Sequence, residues 1–317
     1  MSIPVTAPIV IAPEVRDALS EGLPVVCMES AVVTHGLPAP HNARAVWRAV
    51  RAARLVGAVF GTVGVIDGKI KVGLNDDDLS ALGRPSPDVR KIGVADLAMA
   101  IAGRWTGGTT LGATLWIASR LHIRVVVTGG IGGVHRHPYR DESSDLTVLS
   151  QAPVAVVSAG PKAVCDLPAT VERLETLAVP VVGLGTKELP GFYYNDTGIS
   201  LEHHALDEQE AARVFRAHRA LERKGSILFV SNVPDGVSLD KKRVESVVDL
   251  AHQSALHNGI RGKSLTPFLL RHVREEIGEE AIDVNLAIME ANASTGGRLA
   301  LHLARETPDK PPILEGA

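Results

Sequence analysis

Short runs of β-branched and aliphatic residues alternate along this chain with longer stretches whose apolar positions recur every three to four residues. Such alternation predicts an α/β architecture. The buried-strand candidates are Val25–Met28, Val125–Thr128, Val154–Val157, Val179–Val182 and Ile227–Val230. Most are nearly continuous apolar runs, as expected of parallel strands covered on both faces. Helical stretches lie between them: Asn42–Val56, Thr110–Leu121, Lys162–Leu177 and Asp240–His257. Thr266 followed by Pro267 predicts an N-cap and first-turn proline opening a further helix. One segment breaks the pattern. Thr62–Ile66, Asp67-Gly68 and Lys69–Leu74 read as a β-hairpin closed by a type I′ turn, added to the main sheet. No internal repeat or interior linker interrupts the chain, so one domain over 1–317 is expected, with a loosely ordered tail from Thr307.

Composition narrows the function. Of 317 residues, 45% are hydrophobic, 33 are Lys or Arg and 36 are Asp or Glu, a formal net charge of −3. This balance gives no electrostatic footprint for nucleic acid or an anionic membrane. With only 3% aromatic residues, stacking platforms for single strands are not expected either. Cys27 and Cys165 form no CxxC pair, which argues against a disulfide framework or a thiolate zinc site and fits a reducing cytoplasm. Met1-Ser2-Ile3-Pro4-Val5 has no basic n-region before a long apolar run, so no signal peptide is expected. No apolar run reaches the length of a membrane span. A small anionic substrate held by a few local cations remains compatible.

Candidate chemistry sits at the ends of the strand runs, where open α/β sheets place ligands. Glu29 follows Val25–Met28; desolvation there raises a carboxyl pKa and suits a general acid. Its plain alternative is a strand-end carboxylate bonded to loop amides. Thr128-Gly129-Gly130-Ile131-Gly132-Gly133-Val134-His135-Arg136 allows backbone amides to approach an oxyanion, as a phosphate cradle requires. It is no dinucleotide fingerprint. Gly107-Gly108-Thr109-Thr110, ahead of an apolar helix, is a second candidate anion site of the helix N-terminal type. Asp141-Glu142-Ser143-Ser144-Asp145 suits a hard cation or a sugar phosphate bound through one, or is an acidic surface turn. Lys162, after Val154–Val157 and Ser158-Ala159-Gly160-Pro161, becomes a nucleophilic amine if the strand mouth desolvates it. A solvated first-turn lysine is the ordinary alternative.

These stretches, in this order, resemble the pseudouridine-5′-phosphate glycosidase family across nearly the whole chain. The resemblance is carried by Glu29-Ser30 with Thr34-His35-Gly36, Gly64–Leu74, Gly107–Thr110, Val127–Arg136 and Pro153–Lys162. Leu174-Glu175-Thr176, Thr266–Leu270, Asn285–Ile288 and Asn292-Ala293 extend it. It implies an α/β/α fold with a mainly parallel sheet, a homotrimer and a divalent metal, usually Mn²⁺. By position it makes Lys162 the nucleophile, Glu29 the proton donor and Asp141 the metal-linked aspartate. Lys91, Ser143, Ser144 and Asp145 match phosphate- and sugar-side positions. Leu111, Thr128 and Gly130 match the substrate pocket, and His135 and Asn285 lie toward the base. The implied activity joins or separates ribose 5-phosphate and a ring carbon through a lysine Schiff base.

Departures from the family pattern cluster beside these residues. Lys91 is followed by Ile92-Gly93-Val94-Ala95-Asp96 where Val-Ser-Arg-Arg-Asp is usual. The loop between His135 and Asp141 is about two residues short, by comparison with the family pattern, and reads Arg136-His137-Pro138-Tyr139-Arg140. Glu142 replaces an apolar residue, Ala31 replaces threonine, and Ala39-Pro40-His41-Asn42 and Ser231-Asn232-Val233-Pro234 also differ. Two enzymatic readings follow: cleavage of pseudouridine 5′-phosphate to uracil and ribose 5-phosphate, or synthesis of a C-nucleoside on a ring other than uracil. A non-catalytic sugar-phosphate binder is disfavoured, because binding needs no amine nucleophile.

Overall fold

The computed structural model describes residues 8–139 and 141–304. The expected tail from Thr307 and the opening Met1–Val5 lie outside them. Eleven strands are formed: β1 (Ile9–Ile11), β2 (Val25–Glu29), β3 (Val59–Ile66), β4 (Lys69–Val72), β5 (Val89–Ile92), β6 (Thr106–Thr109), β7 (Val125–Val127), β8 (Ala155–Ser158), β9 (Val181–Leu184), β10 (His203–Ala205) and β11 (Ile227–Val230). The helices are α1 (Pro13–Ser20), α2 (His41–Leu55), α3 (Asp76–Gly83), α4 (Leu97–Ala102), α5 (Leu111–Arg120), α6 (Ser144–Leu149), α7 (Leu167–Thr176), α8 (Glu208–Ala220), α9 (Lys241–His257), α10 (Leu265–Ile277) and α11 (Glu279–Ala304).

All described strands join one sheet in the order β1-β4-β3-β2-β7-β8-β11-β9-β10, with β6 on β3 and β5 on β6. From β2 to β10 every pairing is parallel. Alternation across the pleat separates the core. Val26, Met28, Val125 and Val127 face α2, α8 and α11, while Cys27, Val126 and Val156 face α1, α5 and α7. Helices on both faces explain why the central strands carry almost no polar residues. A third apolar cluster joins α9, α10 and part of α11 to the segments around Ala163 and Tyr193, beyond the carboxyl ends of the strands. The expected α/β/α sandwich is therefore present.

The hairpin is also present: β3 and β4 pair antiparallel from Val63↔Val72 to Ile66↔Lys69. Asp67 and Gly68 have φ of 49° and 72°, the left-handed pair that a type I′ turn demands. The predicted first strand of the hairpin is only the end of β3, whose earlier half pairs parallel with β2.

Two local expectations are corrected. The helix expected over Lys162–Leu177 begins at Leu167, because Asp166 caps it by accepting from the Ala169 amide at 3.0 Å. Lys162 stands in the preceding loop. Thr266 is not an N-cap; α10 begins at Leu265, and Thr266 Oγ1 instead bonds His135 Nε2 at 3.0 Å.

The 26-residue α11 lies against the middle of the sheet, and a glycine permits the approach. A Cβ on Gly296 would stand 2.2 Å from Val127 Cγ1. Gly296→Val is expected to destabilise the fold by about 1–3 kcal/mol through overpacking, read as a lower urea midpoint with unchanged m-value.

Candidate active site

Glu29 is the last residue of β2 and only 7% exposed. Thr128, just after neighbouring β7, donates from Oγ1 to Glu29 Oε1 at 2.6 Å. Glu29 Oε2 is buried with no partner among the described residues. Burial drives the carboxyl pKa up to about 7, against the lowering pull of the Thr128 hydroxyl and the Lys162 charge. Glu29 is thus a half-protonated acid near neutrality, as a proton donor requires. Thr128 was expected to touch substrate. Its side chain is spent on Glu29, and it stands outside the cavity lining, so it positions the acid.

Lys162 is placed by backbone. The loops that follow β7 and β8 run side by side, joined by Ala159 N–H to Gly129 O, Ile131 N–H to Gly160 O, Lys162 N–H to Ile131 O and Asp166 N–H to Val134 O, all 2.8–3.1 Å. Four consecutive cross-links make the loops an extension of the sheet. Close approach requires glycine at two places: a Cβ on Gly130 would meet the Phe192 ring at 2.5 Å, and one on Gly160 the Pro190 carbonyl oxygen at 2.2 Å. Behind the loop, Arg136 binds Glu245 at 2.5 Å and Asp249 at 2.7 Å, and His252 Nε2 meets the Val164 carbonyl at 2.9 Å. Helix α9 therefore braces the residues flanking Lys162.

Asp145 takes one amide of each expected anion cradle. Its Oδ2 accepts from the Gly132 amide at 3.0 Å and its Oδ1 from the Gly112 amide at 2.8 Å. The glycine loop thus presents its Gly132 amide to a buried protein carboxylate rather than to a phosphate. The first turn of α5 does the same. Asp145 borders the cavity and also ties the loop to the helix.

Those elements enclose a cavity of about 350 Å³, within the range of small-molecule sites. Glu29, Lys91, Leu111, Gly130, His135, Asp141, Ser143, Ser144, Asp145, Lys162 and Asn285 all line it. Of the residues read from the sequence, only Thr128 stands behind the wall. Burial, reinforced by the Lys162 charge, holds the Lys91 ammonium below the usual lysine value. His135 is 5% exposed, and its pKa falls to about 4 through burial and the charges around it, so the ring is neutral at physiological pH. Asn285 donates from Nδ2 to the Ala281 carbonyl at 2.6 Å and to Tyr193 Oη at 3.3 Å. Ser143 Oγ accepts from the Asp145 amide at 3.2 Å and keeps its hydroxyl hydrogen to donate.

Lys263, Arg274, Phe192 and Tyr193 also line the cavity and were not anticipated. They come from α9–α10, α10 and the β9–β10 connection, and no local motif marks them. Ala31, Gly93, Ala95 and Glu142 line it as well, so several departures from the family pattern face the substrate space.

Asp141 supplies one half-buried carboxylate, its pKa raised by burial against the pull of Lys91. Among the described residues no three His, Cys, Asp or Glu side chains converge as a metal cage. A lone carboxylate fits a hydrated Mg²⁺ or Mn²⁺, which keeps waters and binds through one or two carboxylates plus substrate phosphate.

The raised Glu29 pKa has a consequence for stability. The folded protein holds this proton between the unfolded value of 4.5 and about 7. The associated stability is full below pH 4.5 and is lost as pH rises through 7, because the folded state resists ionisation. Glu29→Gln is therefore expected to be more stable than the wild-type chain at pH 8, by up to about 3 kcal/mol. Urea denaturation at pH 5 and pH 8 tests this; the two proteins should converge at the lower pH.

Comparison with known proteins identifies the family. A family model described as indigoidine synthase A like protein matches residues 14–302. Proteins named pseudouridine-5′-phosphate glycosidase are similar over almost their whole length. One from Myxococcus xanthus is 44% identical over 92% of this chain and 97% of its own; one from Saccharopolyspora erythraea is 42% identical, covering 93% and 98%. An indigoidine synthase A-like protein of Thermotoga maritima superposes with a TM-score of 0.86 at 31% identity, covering 94% of this chain and 97% of that one. The prealnumycin C-glycosynthase AlnA, solved with ribulose 5-phosphate, superposes with a TM-score of 0.85 at 30% identity, covering 93% and 97%. With likeness of this extent on every count, the chain belongs to the indigoidine synthase A-like family, that of the pseudouridine-5′-phosphate glycosidases.

Proposed function

We propose that this protein is a pseudouridine-5′-phosphate glycosidase, which cleaves the C–C bond between ribose 5-phosphate and uracil through a Schiff base on Lys162. The observation that carries this reading is the pairing of Glu29, a buried acid with an unpartnered oxygen, with Lys162 across one cavity. A C–C glycosidic bond has no heteroatom leaving group to protonate, so the paired-carboxylate chemistry of ordinary glycosidases does not serve. Lys162 instead attacks C1 as the C1–O4′ bond breaks. O4′ takes the amine proton to become a hydroxyl of the opened sugar, which leaves a neutral amine nitrogen on C1. Its lone pair enters a C=N bond as the C–C electrons pass to the ring carbon, and that carbon takes the Glu29 proton. Water then hydrolyses the iminium, returning free Lys162 and ribose 5-phosphate.

Neutral His135 and Asn285 suit an uncharged ring, while Lys91 and Ser143 suit the phosphate end. A divalent ion such as Mn²⁺ on Asp141 would screen negative charge on the sugar phosphate. The family resemblance extends the reading to a homotrimer, and the two buried free cysteines suit a cytoplasmic setting.

A second reading is synthesis of a C-nucleoside on a ring other than uracil. It is favoured by the altered residues Ala31, Gly93, Ala95 and Glu142 in the cavity wall, and by the likeness to AlnA. The same Lys162 and Glu29 serve, run in reverse.

Borohydride added with ribose 5-phosphate should fix a pentose phosphate on Lys162, located by peptide mass spectrometry. An adduct still formed by Lys162→Ala would remove the nucleophile from the scheme. Glu29→Gln should lower kcat for uracil release about 10²–10⁴-fold while leaving the borohydride adduct intact. Turnover of pseudouridine 5′-phosphate to uracil supports the glycosidase; adduct formation without reaction of uracil in either direction supports the synthase. For the metal, Asp141→Asn should abolish Mn²⁺ binding in calorimetry, and unchanged affinity would place the ion elsewhere.

A further inference from the structure

Resting on the sugar-phosphate reading above, we propose that Lys263 is a phosphate-binding cation held in reserve on Asp96. When ribose 5-phosphate enters, the Lys263 ammonium leaves the Asp96 carboxylate and pairs with the phosphate dianion at the cavity mouth.

Asp145 takes one amide from each backbone anion site, Gly112 and Gly132. A phosphate dianion also calls for side-chain cations to balance its charge. Lys91 is one, but Asp145 and Asp141 already act on its charge. Lys162 has to be a free amine to react. Arg274 is tied, donating from Nη1 to the Gly36 carbonyl at 2.9 Å. Lys263 remains. It lines the cavity, and its charge reaches Lys91, so both cations act on one region.

Its present partnership is easily exchanged. Lys263 Nζ meets Asp96 Oδ1 at 2.5 Å, but its side chain is 71% exposed, and exposed ion pairs are weak in water. A phosphate dianion is the stronger partner for a flexible ammonium. Asp96 also lines the cavity and does not need the lysine to stay in place, because its Oδ2 accepts from the Gly93 amide at 2.9 Å. Lys263 lies in a one-turn helical segment, Gly262–Ser264, with no buried residue. Gly262, at φ +58°, has open space around it, so this backbone is free to adjust as the side chain swings.

Isothermal titration with ribose 5-phosphate, and in parallel with unphosphorylated ribose, decides the matter. Lys263→Met should weaken ribose 5-phosphate binding about ten-fold, as loss of one charge-assisted contact does, with ribose binding unmoved. Lys263→Arg should recover most of the loss. Asp96→Asn, which releases the lysine, should tighten ribose 5-phosphate binding. If Lys263→Met binds like the wild type, or if Asp96→Asn and Lys263→Met weaken both sugars alike, the pair is a structural brace and the assignment falls. Failure of the wild-type protein itself to bind ribose 5-phosphate counts against the glycosidase reading, and the assignment falls with it.

Discussion

The site depends on four backbone hydrogen bonds that tie the loop after β7 to the loop after β8. Loops beyond strand ends are ordinarily the mobile part of an α/β protein. Here the pairing continues past the last ladder residues, through the parallel Ile131↔Pro161 bridge to the antiparallel His135↔Cys165 bridge. Lys162 and Glu29 are consequently referred to the same rigid sheet, one through β8 and the other through β2, with Thr128 of the intervening strand binding the acid. A shared rigid frame fixes the separation of an amine and a carboxyl that line one cavity.

Charge follows from that geometry. A buried carboxylate is costly unless it is bonded, and the two acids at this site meet the cost differently. Asp145 accepts two backbone amides, one on each oxygen. Glu29 accepts one hydroxyl, leaves one oxygen bare, and is pushed toward protonation. The number of donors each receives separates the two. Asp145 takes the Gly132 amide of the glycine-rich loop, and Lys91 and Lys263 line the same cavity.

The helix α9 brace completes the arrangement from outside. Arg136, Glu245, Asp249 and His252 lie behind the reactive cavity, yet they hold the backbone on either side of Lys162. Their chemistry is charge-assisted bonding between an element far along the chain and two loops, and it adds rigidity without adding a reactive group.

The strands, the hairpin and most helices were legible in the sequence because they follow from local periodicity and turn chemistry: Asp67-Gly68 can close only a narrow class of turn. Glu29 and Lys162 were legible as candidates because each ends an apolar run, and runs of that kind become buried strands. The start of α7 was misplaced because Asp166 capping competes with helical continuation from Lys162. The Thr128–Glu29 bond and the Asp145 bonds to the Gly112 and Gly132 amides were not legible, because sequence displays donors and acceptors without saying which of them find each other. That pairing is set by contacts between residues dozens to hundreds of positions apart, as with Gly112 and Asp145 or Lys263 and Asp96. The chain by itself determined the architecture and the reactive residue types, through local geometry and burial; only the tertiary structure decided which polar groups neutralise one another and which remain free for a ligand.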